Sequence, residues 1–478
     1  MKSPNFHNTY IKLPTRFYSK SMPTPVRDPK LITANRQLAS EIGIDPNWLE
    51  SSHGVAMLSG NALPKGCDPI AQVYAGHQFG GWAPRLGDGR AHLIGQIQSS
   101  KNKCWDIQLK GSGITPYSRM GDGRAWLGPV LREYLISESM NKLGVPTTRA
   151  LAFILTGETV YREKPLPGAI LTRTAPSMIR IGTFEYFSAQ KDILALSELL
   201  KYAIKIHYPD LNPKDACGFL EAVANSQAEL VSKWMSIGFI HGVMNTDNTH
   251  VGGLTIDYGP CAFMDSYSPS KVFSSIDINS RYSYSEQPKI IVWNLVRLAI
   301  SLLPLIDPVQ ADAIKKAETI LSKFDKTFRK NWDSLSLKKI GISNPKKDDK
   351  KLVEELLGIM ATTNADFTQT FSQLNSLIIK SYRSKKMPIL LDEWKKKWRT
   401  RIESEIRPHQ TMLQTNPIFI PRNHLVEKAI ETALMSDYSL FHRLLSVSET
   451  PFQYQENHSD LYQVPKNEDL VKQTFCGT

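Results

Sequence analysis

The sequence predicts an α+β fold with two lobes and a helical C-terminal extension. Alternating apolar and polar residues indicate β-strands up to about residue 180, together with one helix. Apolar residues at helical spacing then recur in residues 185–208 and 219–238, ahead of a loop rich in Asn, Asp and Gly. Helical patterns dominate again beyond residue 306. We therefore predict a small lobe over residues 1–180, a large lobe over 181–310 and a helical extension over 311–478.

The loop after the second predicted large-lobe helix has almost the spacing of a protein-kinase catalytic loop. The kinase loop reads His-Arg-Asp, four further residues and Asn, and a later Asp-Phe-Gly holds the metal. His241 and Asn248 stand at the first and last positions, and Asp257 begins a triplet Asp-Tyr-Gly. The kinase base position holds Val243, which cannot accept a proton. Asp247 is the candidate substitute, although the run Asn-Thr-Asp-Asn that contains it is also ordinary turn sequence.

A predicted strand and the helix that follows it supply a candidate ion pair. The strand, residues 105–110, alternates apolar and polar residues, is predicted to be half-buried and places Lys110 on its polar face. The helix is predicted over residues 129–143, with Pro in its first turn and Glu133 on its apolar face. Because a buried carboxylate needs a cation, we expect Glu133 to pair with Lys110, as the strand lysine and helix glutamate of kinases do. Solvation of both side chains is the alternative and the commoner fate of each residue taken singly.

Two identical Gly-Asp-Gly-Arg-Ala segments flank that strand, at residues 87–91 and 121–125. Glycine lets backbone N–H groups approach phosphate oxygens, and an arginine in the same loop can donate two hydrogen bonds to a polyanion. One copy would be an ordinary hairpin turn, but two copies around a candidate phosphate-binding lysine favour a nucleotide site. Arg173 ends a further predicted strand and Arg180 follows it. Arginines close to a glycine-rich site suit a triphosphate, although surface arginines usually face solvent.

Several long strings of the sequence carry a family resemblance. They are Tyr-Ala-Gly-His-Gln-Phe-Gly-Gly-Trp at 74–82, Leu-Lys-Gly-Ser-Gly-Ile-Thr-Pro-Tyr-Ser-Arg at 109–119, Gly-Asp-Gly-Arg-Ala at 121–125, His-Gly-Val-Met-Asn-Thr-Asp-Asn at 241–248, Asn-Pro-Ile-Phe-Ile-Pro-Arg-Asn at 416–423 and Phe-Cys-Gly-Thr at 475–478. In this order they closely resemble the selenoprotein O family. The match is highly specific, because the strings are long and unusual, and the similarity extends from about Tyr10 to the last residue.

The resemblance implies a protein-kinase-like two-lobed fold in which ATP lies reversed, so that AMP is transferred to Ser, Thr or Tyr hydroxyls of protein substrates. It implies Asp247 as the general base, Asn248 and Asp257 as ligands of Mg²⁺ or Mn²⁺, and Glu133 as the residue that positions Lys110. The residues implied to bind the nucleotide are Gly87, Gly89, Arg90, Lys110, Asp122, Gly123, Arg173, Arg180 and Asp257. Whether UTP can replace ATP, with UMP transfer, and which metal is preferred stay open.

Two other functions are compatible with the same residues. A conventional protein kinase could use Asp247 in place of the missing base. A catalytically silent ATP-binding pseudokinase scaffold is motivated by the valine at position 243. ATP labelled separately on its α- and γ-phosphates would distinguish the three.

The net charge of +12 would suit a nucleic-acid partner, but its distribution argues against one. Much of the excess lies in lysine runs such as 385–386 and 395–397, and Trp394 and Trp398 flank the second run at helical spacing. We interpret that run as the solvated face of a helix whose tryptophans lie in the core. Residues 290–306 are the most apolar stretch but contain Asn, Arg and Pro, so we predict a buried helix and no membrane span.

Five cysteines at scattered positions argue against a secreted disulfide framework and against a zinc site. We expect a reducing compartment and a cytoplasmic monomer. Cys476 stands where some relatives carry selenocysteine or a redox-active cysteine, so it is a candidate redox residue, and a tail cysteine without such a role is the alternative. A partner cysteine would be expected in the loop at 268–275, which has none, and Cys261 lies off that position. The sequence therefore gives little support to a redox latch.

Overall fold

The computed structural model describes residues 3–99, 103–378 and 391–475. Its strands are β1 (Phe6–His7), β2 (Tyr18–Lys20), β3 (Lys30–Ala34), β4 (Ile70–Gln72), β5 (Gly76–Gln78), β6 (Gly81–Ala83), β7 (Ala91–Gln98), β8 (Cys104–Lys110), β9 (Ala125–Trp126), β10 (Arg149–Tyr161), β11 (Pro165–Ala175), β12 (Phe239–Ile240) and β13 (Ala262–Phe263). Nine of them form one sheet with the order β2-β4-β7-β8-β11-β10-β3, to which β1 adds on β7 and β9 on β11. The strand-rich first region of the α+β prediction is confirmed.

Helices cover both faces of this sheet. On one face lie α1 (Arg36–Ile42), α2 (Pro46–Leu49) and α3 (Ser52–Ser59), whose Leu38 and Leu58 share a buried core with Ile107 and Ile170 of the central strands. On the other face lies α4 (Leu127–Lys142), so the predicted helix is confirmed with a start two residues earlier. Glu133 of α4 is only 4% exposed, which places its carboxylate inside the protein.

The central strand β8 is buried on both faces, and the prediction of a half-buried strand was wrong. Asp106 and Gln108, on its polar face, are 1% and 0% exposed. Gln96 Nε2 donates to Asp106 Oδ1 at 2.7 Å, and Arg173 Nη2 donates to Gln108 Oε1 at 2.6 Å. Side chains of the neighbouring strands thus form hydrogen bonds with these polar groups, which the alternating sequence pattern alone would place in solvent.

The second lobe is helical. Its helices are α5 (Ile181–Ala189), α6 (Ile193–His207), α7 (Ala216–Ser236) and α8 (Gln287–Ile306). The single helix predicted over 185–208 is two helices, because Lys191 has a left-handed backbone (φ 54°) and Asp192 caps the new first turn of α6 with its side chain. The apolar stripe predicted for α7 is confirmed, since Leu220 and Val231 are fully buried.

Only one face of α8 is buried, which corrects the prediction of a buried helix. Leu295 and Leu298 are fully buried, whereas Val296 and Ile300 are 39% and 46% exposed. By length and composition alone the segment Tyr284–Ile306 could cross a membrane, with a mean hydropathy of 1.8. Since 44% of its apolar window is buried inside the protein, this is weak support for a membrane helix.

The C-terminal extension is helical, as predicted. It contains α9 (Gln310–Leu321), α10 (Phe324–Lys339), α11 (Asp349–Thr363), α12 (Phe367–Ile378), α13 (Leu391–Ile402), α14 (Pro408–Thr415), α15 (Asn423–Leu434) and α16 (Ser439–Ser448). Trp394 and Trp398 are buried and stack 5.5 Å apart, so the interpretation of the 395–397 lysine run as a helix face is confirmed. The run at 385–386 lies outside the described residues. Helices α15 and α16 return to pack on α4, and the region boundaries at 180 and 310 stay predictions.

Candidate active site

A cavity of about 440 Å³ separates the sheet from the loops that follow α7. It is lined by every predicted site residue within the described ranges, namely Gly87, Gly89, Arg90, Lys110, Asp122, Gly123, Glu133, Arg173, Arg180, Asp247, Asn248 and Asp257. Val243, at the kinase base position, lines it as well. The structure thus brings together residues that are as much as 170 positions apart in the chain.

Three cations and two carboxylates form one ion-pair network at the inner end of the site. Lys110 Nζ lies 2.6 Å from Glu133 Oε2 and 2.8 Å from Asp257 Oδ1. Arg173 Nη1 lies 2.6 Å from Asp257 Oδ1 and 3.1 Å from Glu133 Oε1, and Arg180 pairs with Asp257 Oδ2. The expected pairing of Lys110 with Glu133 is confirmed, and the solvated alternative is wrong.

Asp257 is held ionised at the centre of this network. Burial alone would raise its pKa, but the charges of Arg173, Arg180 and Lys110 outweigh burial and hold the pKa well below its usual range. Its backbone is left-handed, with φ 62°, a conformation that costs energy for a residue with a side chain. The ion pairs fix the carboxylate in that position.

Asp247 lies in a 3₁₀ turn, Thr246–Asn248, and is 6% exposed. Its Oδ2 accepts a hydrogen bond from Gln78 Nε2 at 3.1 Å, and its Oδ1 is buried without a partner in the described part of the chain. Burial raises the pKa of Asp247 to about 6. A carboxylate with one unsatisfied oxygen and a pKa near neutrality suits a general base. Gly76 makes room for it, because a Cβ there would lie 2.3 Å from Asp247 Oδ1.

Asn248 and Asp257 offer oxygens of the type that Mg²⁺ and Mn²⁺ bind. Asn248 Nδ2 donates to the carbonyl oxygen of Val243 at 2.9 Å, which leaves its side-chain oxygen as an acceptor. Within the described residues no group of three or more His, Cys, Asp or Glu side chains could hold a metal. Two protein oxygens that are completed by water and phosphate are the usual arrangement for Mg²⁺ in phosphoryl-transfer sites, so the residues fit such an ion.

The two glycine-rich segments bound the outer part of the cavity. Gly87 and Gly123 have φ of 69° and 65°, and a Cβ at either would clash with Tyr117 or with the Gly113 backbone. The backbone carbonyl of Arg90 accepts from Gly111 N at 2.7 Å, but its side chain has no hydrogen bond or ion pair among the residues that the structure describes, so its charge is available to a ligand.

Both charged side chains of the second segment are already engaged. Arg124 donates to the carbonyl oxygens of Thr24 and Pro25 at 3.1 and 3.2 Å. Asp122 pairs with Arg162 at 2.8 Å, and the hydrogen bond from Arg162 lowers the pKa of Asp122. The second glycine-rich segment therefore contributes more to the shape of the cavity than to the charge available for a ligand.

The predicted set lacked several residues that shape the site. Gln78 reaches Asp247 from the β5–β6 hairpin, and Tyr74 stacks under the Arg180 guanidinium at 4.7 Å. Asp88 is buried and accepts from Gln108 Nε2 at 3.2 Å. Tyr74 and Gln78 belong to the string at 74–82, which carries the family resemblance but no recognised chemical motif of its own. That string was the available signal.

The segment after Asp257-Tyr258-Gly259 pairs with the C-terminal tail. Thr474 N donates to the Phe273 carbonyl at 2.7 Å, Ser275 N donates to the Thr474 carbonyl at 3.1 Å, and Thr474 Oγ1 donates to the carbonyl of Pro260 at 2.5 Å. Cys476, the candidate redox residue, lies outside the described residues. Cys261 is buried.

Comparison with known proteins gives matches over most or all of the chain. The family model described as "Protein adenylyltransferase SelO" matches residues 1–449. The chain is 49% identical over 474 residues to the "Protein nucleotidyltransferase YdiU" of Ruegeria sp. (strain TM1040), covering 99% of both chains. Proteins of the same description from Roseobacter denitrificans and Rhizobium meliloti are 50% identical over 478 residues and 48% identical over 491 residues, with 99% and 100% of each chain covered.

Proposed function

This chain belongs to the SelO family of protein adenylyltransferases and is an enzyme that transfers a nucleotide, and we propose that it moves AMP from ATP to Ser, Thr or Tyr hydroxyls of proteins with release of pyrophosphate. One observation carries the proposal. The kinase base position is Val243, while Asp247, a buried carboxylate with one oxygen that has no hydrogen-bond partner in the described part of the chain, lines the same cavity.

The cations at the inner end of the cavity support a reversed triphosphate. Lys110, Arg173 and Arg180 lie deep, and Arg90 carries a further charge in the glycine-rich segment. Together they can offset much of the charge on the outer phosphates of ATP. A triphosphate tail held there leaves the α-phosphorus on the side of Asp247, since phosphoryl-transfer sites act mainly by positioning and charge stabilisation.

Asp247 would accept the proton of the attacking hydroxyl, and Gln78 would orient its carboxylate. Asn248 and Asp257 would hold Mg²⁺ or Mn²⁺, which when bound would polarise the α-phosphate and stabilise the leaving pyrophosphate. Glu133 would keep Lys110 directed into the cavity. Asp122 and the glycines at 87, 89 and 123 would shape the wall around the nucleotide.

The proposal is tested with ATP labelled on either the α- or the γ-phosphate, a divalent ion and an extract of proteins as acceptors. We expect label from the α-position on protein, none from the γ-position, and a loss of at least about 100-fold in Asp247→Asn. Label from the γ-position would show a conventional kinase. Bound ATP without label from either position would show a silent scaffold, and a parallel reaction with α-labelled UTP measures UMP transfer.

A further inference from the structure

Two arginines flank a tryptophan at the rim of the site, outside the residues that line the nucleotide cavity. The guanidinium carbons of Arg281 and Arg297 lie 4.8 and 4.5 Å from the ring centroid of Trp293 on α8. Within the described ranges neither arginine has a carboxylate at ion-pair distance, and the Nε atoms of both are buried without a hydrogen-bond partner. Stacking on an aromatic ring fixes guanidinium groups in place, so little side-chain entropy remains to be lost on binding.

The β5–β6 hairpin connects this pair to the proposed base. The ring of His77 lies 5.3 Å from the ring of Trp293, and the next residue, Gln78, donates to Asp247. At the tip of the hairpin, a Cβ on Gly80 would lie 3.8 Å from the Arg281 guanidinium carbon. The β5–β6 hairpin therefore connects the arginine pair to Asp247, the residue proposed to deprotonate the acceptor hydroxyl.

A second connection between the arginine pair and the loop of Asp247 runs through the segment after Asp257-Tyr258-Gly259. Tyr282, next to Arg281, donates its hydroxyl to Asn245 Oδ1 at 2.6 Å. Phe79 N donates to the same oxygen at 3.1 Å. The segment that carries Arg281, the hairpin and the catalytic loop are thus held together on one side of the cavity.

Two carboxylates lie near the arginines, and neither is at ion-pair distance from a guanidinium group. The Asp277 carboxylate accepts hydrogen bonds from the backbone N atoms of Arg281 and Tyr282 at 2.9 and 2.8 Å. Glu185 Oε1 lies 2.6 Å from His77 Nδ1, and burial raises the pKa of Glu185 to about 7. Burial and then the charges of Arg297 and Arg281 lower the pKa of His77. The rim therefore presents two guanidinium groups that have no ion-pair partner among the described residues, which suits an anionic ligand from outside the chain.

We propose that Arg281, Trp293 and Arg297 bind a carboxylate side chain of the acceptor protein, so that hydroxyls with a nearby Asp or Glu are modified preferentially. The inference rests on the proposed nucleotide transfer and names its substrate class. Arginine pairs bind carboxylates through bidentate, charge-assisted hydrogen bonds. Such contacts at the rim distinguish acceptors without touching the reacting atoms.

The test uses the full-length enzyme, α-labelled ATP and synthetic peptides that carry one Ser, Thr or Tyr. The flanking positions hold Glu, Gln, Lys or phosphoserine. We expect kcat/KM for Glu peptides to exceed that for Gln peptides about tenfold. Arg281→Gln and Arg297→Gln should remove this preference by raising KM for the Glu peptide, with kcat and the use of Gln peptides unchanged. Lys289→Gln, an exposed lysine of α8 paired with Glu286, is the matched control and should keep the preference.

A charge-reversal variant distinguishes a change in peptide recognition from misfolding. Arg297→Glu should use Lys peptides better than the wild type does, a gain that damage to the fold cannot produce. Equal use of Glu and Gln peptides by the wild type, or equal loss on both peptides in the Gln variants, would overturn the inference. A preference for phosphoserine without one for Glu would overturn the carboxylate assignment. If no peptide or protein receives α-label at all, the proposed function fails instead.

Discussion

Asp257 competes with any polyanion for the three cations of the site. Lys110, Arg173 and Arg180 all contact its carboxylate, while Glu133 binds only the first two. Three positive charges against two negative ones leave the network with one positive charge in excess, which attracts a triphosphate. A bound triphosphate would share these cations and leave the Asp257 oxygens freer for a metal ion.

Replacing Asp257 with Asn should separate nucleotide affinity from transfer. Asn tolerates the left-handed backbone but releases the cations, so we expect ATP to bind about tenfold more tightly in EDTA. AMP transfer with metal present should fall by at least about 100-fold, because a proposed metal ligand is lost. Calorimetry and α-label transfer measure the two effects. Asp68→Asn, which alters a pair with Lys20, is the control. Weaker ATP binding in EDTA would show that Asp257 does not compete for the cations.

Replacing Gln78 should affect Asp247, the proposed general base, without affecting nucleotide binding. Its amide is the one hydrogen-bond donor to the Asp247 carboxylate among the described side chains. We expect Gln78→Ala to lower kcat about tenfold with KM for ATP unchanged. Gln78→Glu should lower kcat further, since it sets a second carboxylate beside the base. Steady-state kinetics with varied ATP decide the point, and a rise in KM for ATP at constant kcat would assign Gln78 to nucleotide binding instead.

At the scale of elements, the buried polar face of β8 makes stability depend on pH. Burial raises the pKa of Asp106 to about 7. An acid whose pKa is raised in the folded state stabilises the fold fully below its unfolded value near 4, and this stabilisation is lost as the pH rises through 7. We expect Asp106→Asn to leave the free energy of unfolding unchanged at pH 4 and to raise it by about 2 kcal/mol at pH 8. Urea titrations across that range measure it, with exposed Asp210→Asn as the control. A pH-independent difference would contradict the assignment.

The C-terminal tail supports the segment that follows Asp257-Tyr258-Gly259. Thr474 pairs with Phe273 and Ser275 through the backbone and binds the Pro260 carbonyl with its hydroxyl. We expect a chain that ends at residue 470 to lose about tenfold in kcat, because this segment loses its hydrogen bonds to Thr474. Cys476→Ser keeps the backbone pairing and should retain wild-type transfer in reducing buffer. Equal losses in both variants would assign the effect to the thiol.

At the scale of the whole molecule, local patterns predicted the elements but not their long-range contacts. The pairing of Lys110 with Glu133 was predicted, because each residue lies in a segment with a recognisable pattern, but the contact of Asp257 with Lys110 was not. The contact of Gln78 with Asp247 spans 169 positions, and no local rule indicates it. The two-sided burial of β8 also depends on which elements cover it, a property of the tertiary packing.

We expect the C-terminal extension to unfold together with the two lobes that enclose the site. Arg422, at the start of α15, is 2% exposed and pairs with Asp265 beyond β13 and with Asp366 before α12. Removing one partner of a buried ion network leaves charges unpaired, so we expect Arg422→Ala to cost about 3–5 kcal/mol. Arg443→Ala breaks an exposed pair with Asp460 and should cost less than about 1 kcal/mol. A single unfolding transition that shifts to lower urea for Arg422→Ala, with loss of AMP transfer at the same urea concentration, is the expected result. Two separate transitions, with activity lost only in the second, would show that the extension is an independent unit.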